Sequence, residues 1–378
     1  LRERLAAAPF DALLLTGGEA VDYATGYRSV AGQLHRGYTL AAVVTADRTV
    51  LVAPAADAGP ALDGGIAADD VIPFGRFYFE GDAPAAGMSD RNAGLGPAVA
   101  AALQPLAGRR LGVEGLVQLP EAARQAVGEA LAGIAGDRVT GADGWMLGVR
   151  SVKLPVEQQL LRRAAELAEH GMQAALAASA PGITERELAS AVASAMVAGG
   201  GDPRFVVATV GARTALADAF PDDTPCRPGD LIRLDVGCQV QGYWSDIART
   251  AVLGEASALQ RSRYDALLAG LYAELEVARP GATAGSVFDA AVRTVQQHGL
   301  APYRRHHAGH AIGLSVYEEP VVRPGEAAEL QPGMVFCLET PYYQIGWGGM
   351  MVEDTGVVTD GGFELFTGMD RSLREVGR

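Results

Sequence analysis

Lysine occurs once in this 378-residue chain, at Lys153, and cysteine three times, at Cys226, Cys238 and Cys337. The single lysine sits in VRSVKLP, a stretch that reads as an inter-domain connection. It leaves Schiff-base and pyridoxal chemistry without an amine in a pocket. The three cysteines are widely spaced and form no CxxC pair, so they read as reduced, mostly buried thiols of a cytosolic protein. Basic residues are outnumbered: 31 Lys and Arg stand against 45 Asp and Glu, a formal net charge of −14. No run of five basic residues occurs, which argues against a nucleic-acid partner, because phosphate contacts need clustered cations. No apolar run reaches the length of a transmembrane helix and no signal peptide is visible, so no membrane association is expected.

The composition that remains is that of a globular protein, 49% hydrophobic and 20% charged, and the length accommodates two domains. In the first part, short apolar runs at Ala12–Thr16, Leu40–Val44, Val50–Val52 and Leu111–Val113 read as buried strands. Helical spacing over Gly94–Leu106 and Glu121–Leu131 alternates with them, which predicts an α/β domain over residues 1–150. Gly81–Asn92 reads as a surface loop. Beyond Val149–Pro155 the pattern changes. Helices are expected at Glu157–Ala177, Glu185–Ala198, Ser262–Ala278 and Ala284–His298. Strands are expected at Phe205–Val210, Leu231–Val236, Arg249–Leu253, Met334–Leu338 and Met351–Val358. This mixture predicts an α+β second domain over residues 151–378.

Four acidic residues of the second domain stand on strands rather than on helix faces. Asp235 lies in LIRLDVG, and Asp246 follows in GYWSDIART after a turn at Gly242. Two antiparallel strands would set these carboxylates side by side, and buried like charges need a shared proton or a cation. The same oddity recurs with Glu339, ending MVFCLE, and Glu353, following MMV. Between the pairs lies HHAGHAIGL, with glycines around His310. Each residue alone has a plain structural reading: a turn aspartate, a loop histidine, an edge-strand glutamate. Four carboxylates and one imidazole together suit Mn²⁺, Zn²⁺ or Co²⁺. Bridging carboxylates would hold two such ions roughly 3.5 Å apart, an arrangement that clamps and deprotonates a water.

GDLIRLDVG…GYWSDIARTAVLG, GHAIGL, LQPGMVFCLETPYY and MMVEDTGVVT resemble the signature blocks of the M24 metallopeptidases, the family of prolidase, aminopeptidase P, methionine aminopeptidase and the metal-free creatinase. The resemblance runs from about Val149 to the C-terminus. It implies a pita-bread catalytic domain whose related halves contribute the aspartates and the glutamates. YATGY in the first domain is similar to YLTGY of the creatinase/prolidase N-terminal domain, which points to the Xaa-Pro peptidase branch. By this resemblance Asp235 is a bidentate ligand of one metal, Asp246 and Glu353 bridge two, and His310 and Glu339 complete the other site. Glu339 also serves as the general acid/base. The implied activity is hydrolysis of Xaa-Pro dipeptides by a cytosolic homodimer. Aminopeptidase P action on longer peptides and hydrolysis of a non-peptide amide or amidine are the alternatives, and a metal-free binding protein is disfavoured.

Four places depart from the family pattern, one of them Thr340, which interrupts the usual Glu-Pro as Glu339-Thr340-Pro341. Ala217-Asp218 stands where the family has Pro-His, Tyr317 where it has a second histidine, and Met351 where it has an arginine. The family's histidines contact the substrate amide and its arginine the distal end. Asp218 is expected to accept from a substrate ammonium group, and Tyr317 to donate its hydroxyl to an oxyanion or carboxylate. His306 and His307 are candidates for the missing imidazole or for a surface-loop role.

Overall fold

The structure, a computed structural model, describes residues 1–35 and 37–377. The chain divides into two compact units, Leu1–Val149 and Arg150–Arg378. In the first unit six strands form one mixed sheet: β1 (Ala12–Leu15), β2 (Ala41–Val44), β3 (Thr49–Pro54), β4 (Val71–Phe74), β5 (Leu111–Glu114) and β6 (Val139–Gly141), in the order β4-β3-β2-β1-β5-β6. The strands read as unbroken apolar runs because both faces are covered. Leu13, Leu15, Ala42 and Val44 face one core, while Ala12, Leu14, Ala41 and Val43 face the other. The two strands that sequence patterning does not reveal, β4 and β6, are the sheet edges, and both are short. The expected loop at Gly81–Asn92 contains a 3₁₀ turn, Pro84–Met88, whose Met88 is buried.

The second unit is built from two similar halves. Each pairs two helices, Pro155–Ala178 with Glu185–Ala198 and Ala258–Val277 with Ala284–Gln297. The helix starts are written locally. Thr184 with Glu187 and Ser257 with Gln260 form capping boxes that satisfy orphan backbone donors. The strands are β7 (Asp202–Val210), β8 (Leu231–Val240), β9 (Tyr243–Trp244), β10 (Ile247–Leu253), β11 (Gly309–Ala311), β12 (Glu318–Val321), β13 (Val335–Glu339), β14 (Tyr342–Gln344), β15 (Gly348–Met350), β16 (Glu353–Thr359), β17 (Gly362–Leu365) and β18 (Arg374–Val376). The main sheet runs β12-β11-β13-β16-β10-β8-β7. One half supplies β7, β8 and β10, the other β11, β13 and β16. They join where β10 pairs antiparallel with β16 at Ala248 and Glu353.

Lys153 follows the division between the two units by a few residues. It is buried and its ammonium group donates to Glu318 Oε2 at 2.8 Å, while Arg150 pairs with the other oxygen of the same carboxylate. The three cysteines are buried and free. No helix among the described residues is long and apolar enough to cross a membrane.

Candidate metal centre

The joint between the two halves is where the strand-borne carboxylates meet. Ala248 pairs with Asp235 on one side and with Glu353 on the other, and Glu353 in turn pairs with Glu339. Asp246 precedes β10 by one residue, and His310 pairs with Cys337 across β11 and β13. One ligand atom each from Asp246, His310, Cys337 and Glu353 lies within 4.8 Å of all the others. Asp235 and Glu339 flank this tight set on opposite sides of the register.

Gly309 makes the approach of β11 to β13 possible. Its φ is +138°, and a Cβ there would stand 2.2 Å from the Cys337 carbonyl oxygen. His310 is buried, with Nδ1 3.1 Å from the Ala311 carbonyl and Nε2 3.6 Å from Asp246 Oδ2. An Nδ1–H donated to that carbonyl leaves the Nε2 lone pair directed at the carboxylates, the tautomer a metal ligand needs.

The electrostatics ask for a cation. Asp246 Oδ1 and Glu353 Oε2 are buried without a hydrogen-bond partner. Burial and the neighbouring carboxylates push Glu353 and Asp235 well above the ordinary range, Arg233 only partly opposing this at Asp235. Burial raises Asp246 as well, against the pull of His310. Desolvated like charges with orphaned oxygens are what a divalent ion neutralises, so the residues present fit a bound metal. Cys337 is the member that sequence reading overlooked. Burial and the adjacent carboxylates push its thiol up, and its Sγ lies 3.3 Å from Thr355 Oγ1. It packs beside the carboxylates of the cluster.

Glu339 behaves differently. Burial alone would raise it, but His307, Arg305 and His310 outweigh burial and hold it below the usual carboxylate range. His307 Nδ1 lies 2.8 Å from Glu339 Oε1, and Arg305 Nη2 lies 3.9 Å from the same oxygen. His307 is buried, whereas His306 is exposed, so the surface-loop reading holds for one of the pair only. Tyr317 is 55% exposed, and its ring stacks on His310 with centroids 3.8 Å apart. Asp218 is exposed and acts on Asp235 only through its charge. Met351 is buried, and its sulfur accepts from the Tyr343 hydroxyl at 3.6 Å.

Two arginines that interrupt apolar strands, in LIRLD and DIART, brace the ligand-bearing strands. Arg233 donates to the carbonyls of Thr214, Leu216 and Ala217 and to Asp235 Oδ2. Arg249 donates to the carbonyls of Ala248 and Glu353 and to Asp354 Oδ1. A charged residue inside an apolar run was the available signal for both. His307 stood out only as one of a histidine pair that could supply the missing imidazole, and Arg305, in the same loop, gave no signal.

Residues 159–360 match the model of metallopeptidase family M24, and residues 1–152 match the creatinase/prolidase N-terminal domain. The Xaa-Pro dipeptidase of Pyrococcus furiosus is 32% identical over 227 residues, 60% of this chain and 65% of that one. The probable dipeptidase PepE of Mycobacterium tuberculosis is 35% identical over 216 residues, 57% of this chain and 58% of the relative. The matched segments thus span less than two thirds of these relatives. Among solved structures, dipeptidase PepE from Mycobacterium ulcerans superposes with a TM-score of 0.77 at 28% identity, covering 99% of this chain and 95% of that one. The prolidase from Pyrococcus furiosus has the same fold, with a TM-score of 0.78 at 24% identity over 98% of this chain and all of that one. With its carboxylate-lined joint and this match over more than half its length, the chain belongs to metallopeptidase family M24, carrying a creatinase/prolidase-type N-terminal domain ahead of a pita-bread catalytic domain.

Proposed function

We propose that the protein is a Xaa-Pro dipeptidase that works with two divalent ions, Mn²⁺, Zn²⁺ or Co²⁺, held by Asp235, Asp246, His310, Glu339 and Glu353. The observation that carries this reading is the buried cluster itself, in which Asp246 Oδ1 and Glu353 Oε2 lack hydrogen-bond partners beside His310. Relatives described as Xaa-Pro dipeptidases support the choice of bond. When bound, the ions supply Lewis-acid polarisation of the scissile carbonyl and acidify water.

The chain's own groups do the rest. Glu339 takes a proton from the attacking water on a carboxylate oxygen and returns it to the leaving imino nitrogen of proline. His307 holds that carboxylate in place through the 2.8 Å approach to Oε1. Tyr317, fixed by its stack on His310, presents a hydroxyl that donates to the developing oxyanion. Asp218 accepts from the substrate ammonium group at the open side of Asp235. A homodimer in a reducing, cytosolic compartment completes the reading; the three free, buried thiols support the compartment.

The test is metal analysis and turnover together. Protein stripped by chelation and reloaded with each ion is expected to retain about two equivalents, as a two-metal site requires, and to cleave Xaa-Pro dipeptides in preference to tripeptides and acyl-amino acids. Retention of less than one equivalent with no cleavage by any reloaded form rejects the proposal. Cleavage of tripeptides alone moves it to aminopeptidase P, and light scattering reports the assembly.

A further inference from the structure

Two guanidinium groups lie against the ring of Tyr343: Arg233, with Cζ 5.3 Å from the centroid, and Arg305, at 5.8 Å. Their donors are used very differently. Arg233 is fully buried, and its three nitrogens all donate, to three carbonyls and to Asp235. Arg305 donates only through Nε, to the His307 carbonyl at 3.4 Å. Among the described residues its two terminal nitrogens make no hydrogen bond, and the approach to Glu339 Oε1, 3.9 Å from Nη2, is longer than a charge-assisted bond. Its side chain is 11% exposed. The result is a largely desolvated cation that keeps a planar pair of donors unspent beside the proton-transferring carboxylate. Arg233, the other guanidinium on this ring, has its donors spent, and position 351 is a buried methionine.

The reach is right for one particular anion. In a dipeptide the leaving nitrogen is separated from the terminal carboxylate by a single Cα, about 2.5 Å from nitrogen to carboxyl carbon. A group within a few ångströms of Glu339 therefore meets the carboxylate of a dipeptide, whereas one further residue moves that carboxylate away by roughly 3.5 Å. We infer that Arg305 is the specificity-determining residue of this site, receiving the free terminal carboxylate of the substrate on its unspent Nη pair and so selecting dipeptides over longer or amidated peptides. This rests on the peptidase reading of the metal centre. Glu274, buried with both oxygens unpartnered, is within electrostatic range of both Arg305 and Glu339. The competing role for Arg305 is therefore that of a counter-ion to these two carboxylates.

The metal-loaded protein separates the two roles. Calorimetric titration with proline and with prolinamide, the product and its uncharged counterpart, is combined with kinetics on an Xaa-Pro dipeptide and its C-terminal amide. The wild type is expected to bind proline and to use the free acid about 10- to 100-fold better, the discrimination of one bidentate charged pair. Arg305→Gln is expected to remove that preference in binding and in KM with the metal content unchanged, any change in kcat transmitted through Glu339 falling on acid and amide alike. Arg305→Gln combined with Met351→Arg is expected to recover part of it. Equal binding of proline and prolinamide by the wild type overturns the inference, and so does an Arg305→Gln variant that keeps the wild-type preference for the free acid in binding and KM. A wild type that prefers proline through Arg305 yet cleaves no Xaa-Pro bond retains the carboxylate subsite and rejects the peptidase reading instead.

Discussion

Glu339 and Glu353 face each other across β13 and β16, yet their surroundings drive their acidities in opposite directions. Burial among carboxylates raises Glu353, whereas an imidazole and a guanidinium beside Glu339 lower it. Which side chain can carry a proton is therefore a property of the neighbours rather than of residue type. Replacing Glu339 with glutamine is expected to reduce kcat by about 10²- to 10⁴-fold, the range for loss of a general acid/base, as read in steady-state kinetics at saturating metal. Glu274 offers a pH test away from the metal ligands. Burial and Glu339 push its carboxyl well above the ordinary value, with Arg305 opposing. A raised folded pKa means that the stability it allows is complete below the unfolded value and is lost as pH rises through the folded one. Glu274→Gln should thus match the wild type in acid and exceed it at high pH, as measured by urea midpoints across the range.

At the scale of elements, each candidate ligand lies on a strand or, for Asp246, one residue ahead of one, and the strand's position is enforced from elsewhere. Thr250 of β10 both accepts from the Met351 amide at 2.8 Å and donates to the Met351 carbonyl at 2.9 Å, pinning the segment that leads into Glu353. Thr250→Val leaves two buried backbone groups unpaired and is expected to cost about 1–3 kcal/mol, read by denaturant unfolding. Gly309→Ala would drive a Cβ into the Cys337 carbonyl at a φ of +138°. About 1–3 kcal/mol of strain, plus displaced pairing of β11 with β13, is expected, with metal affinity falling alongside the melting temperature. Glu318, at the start of β12, holds Lys153 and Arg150 together. Burial alone would raise its carboxyl, but the two cations outweigh burial and depress it. Its contribution is present above the unfolded carboxylate value and fades as pH falls through the folded one. Glu318→Gln, which strands two buried cations, is expected to cost about 3–5 kcal/mol at neutral pH, with the deficit shrinking in acid.

Over the whole catalytic unit, the two halves share a single row of register partners, Asp235–Ala248–Glu353–Glu339, so the candidate metal centre lies on the seam of the sheet. Bound ions would relieve the repulsion stored along that seam. Ion binding at a hundred times Kd is worth about 2.7 kcal/mol per site. Chelation is therefore expected to lower the melting temperature, and reloading to restore it together with activity. A midpoint that does not respond to chelation would mean that the seam holds without a cation.

The amino-acid sequence by itself determined the strands and helices with strong periodicity, and it exposed the four carboxylates as polar residues out of place on apolar strands and His310 as an imidazole in a glycine-rich loop. Those signals are local: alternation, caps and a charge inside a hydrophobic run are written within a few neighbours. The tertiary structure decided what stands beside them. Lys153 and Glu318 lie 165 positions apart, and Arg305, His307, Tyr343 and Glu274 come from a loop, a short hairpin and a helix that no periodicity relates. Cys337 joined the cluster only because β11 pairs with β13 in one particular register. Loop side chains take their direction from the packing around them and not from chain spacing. The candidate ligands could therefore be read in advance, while most of the groups packed around Glu339 emerged only once the strands had been brought together.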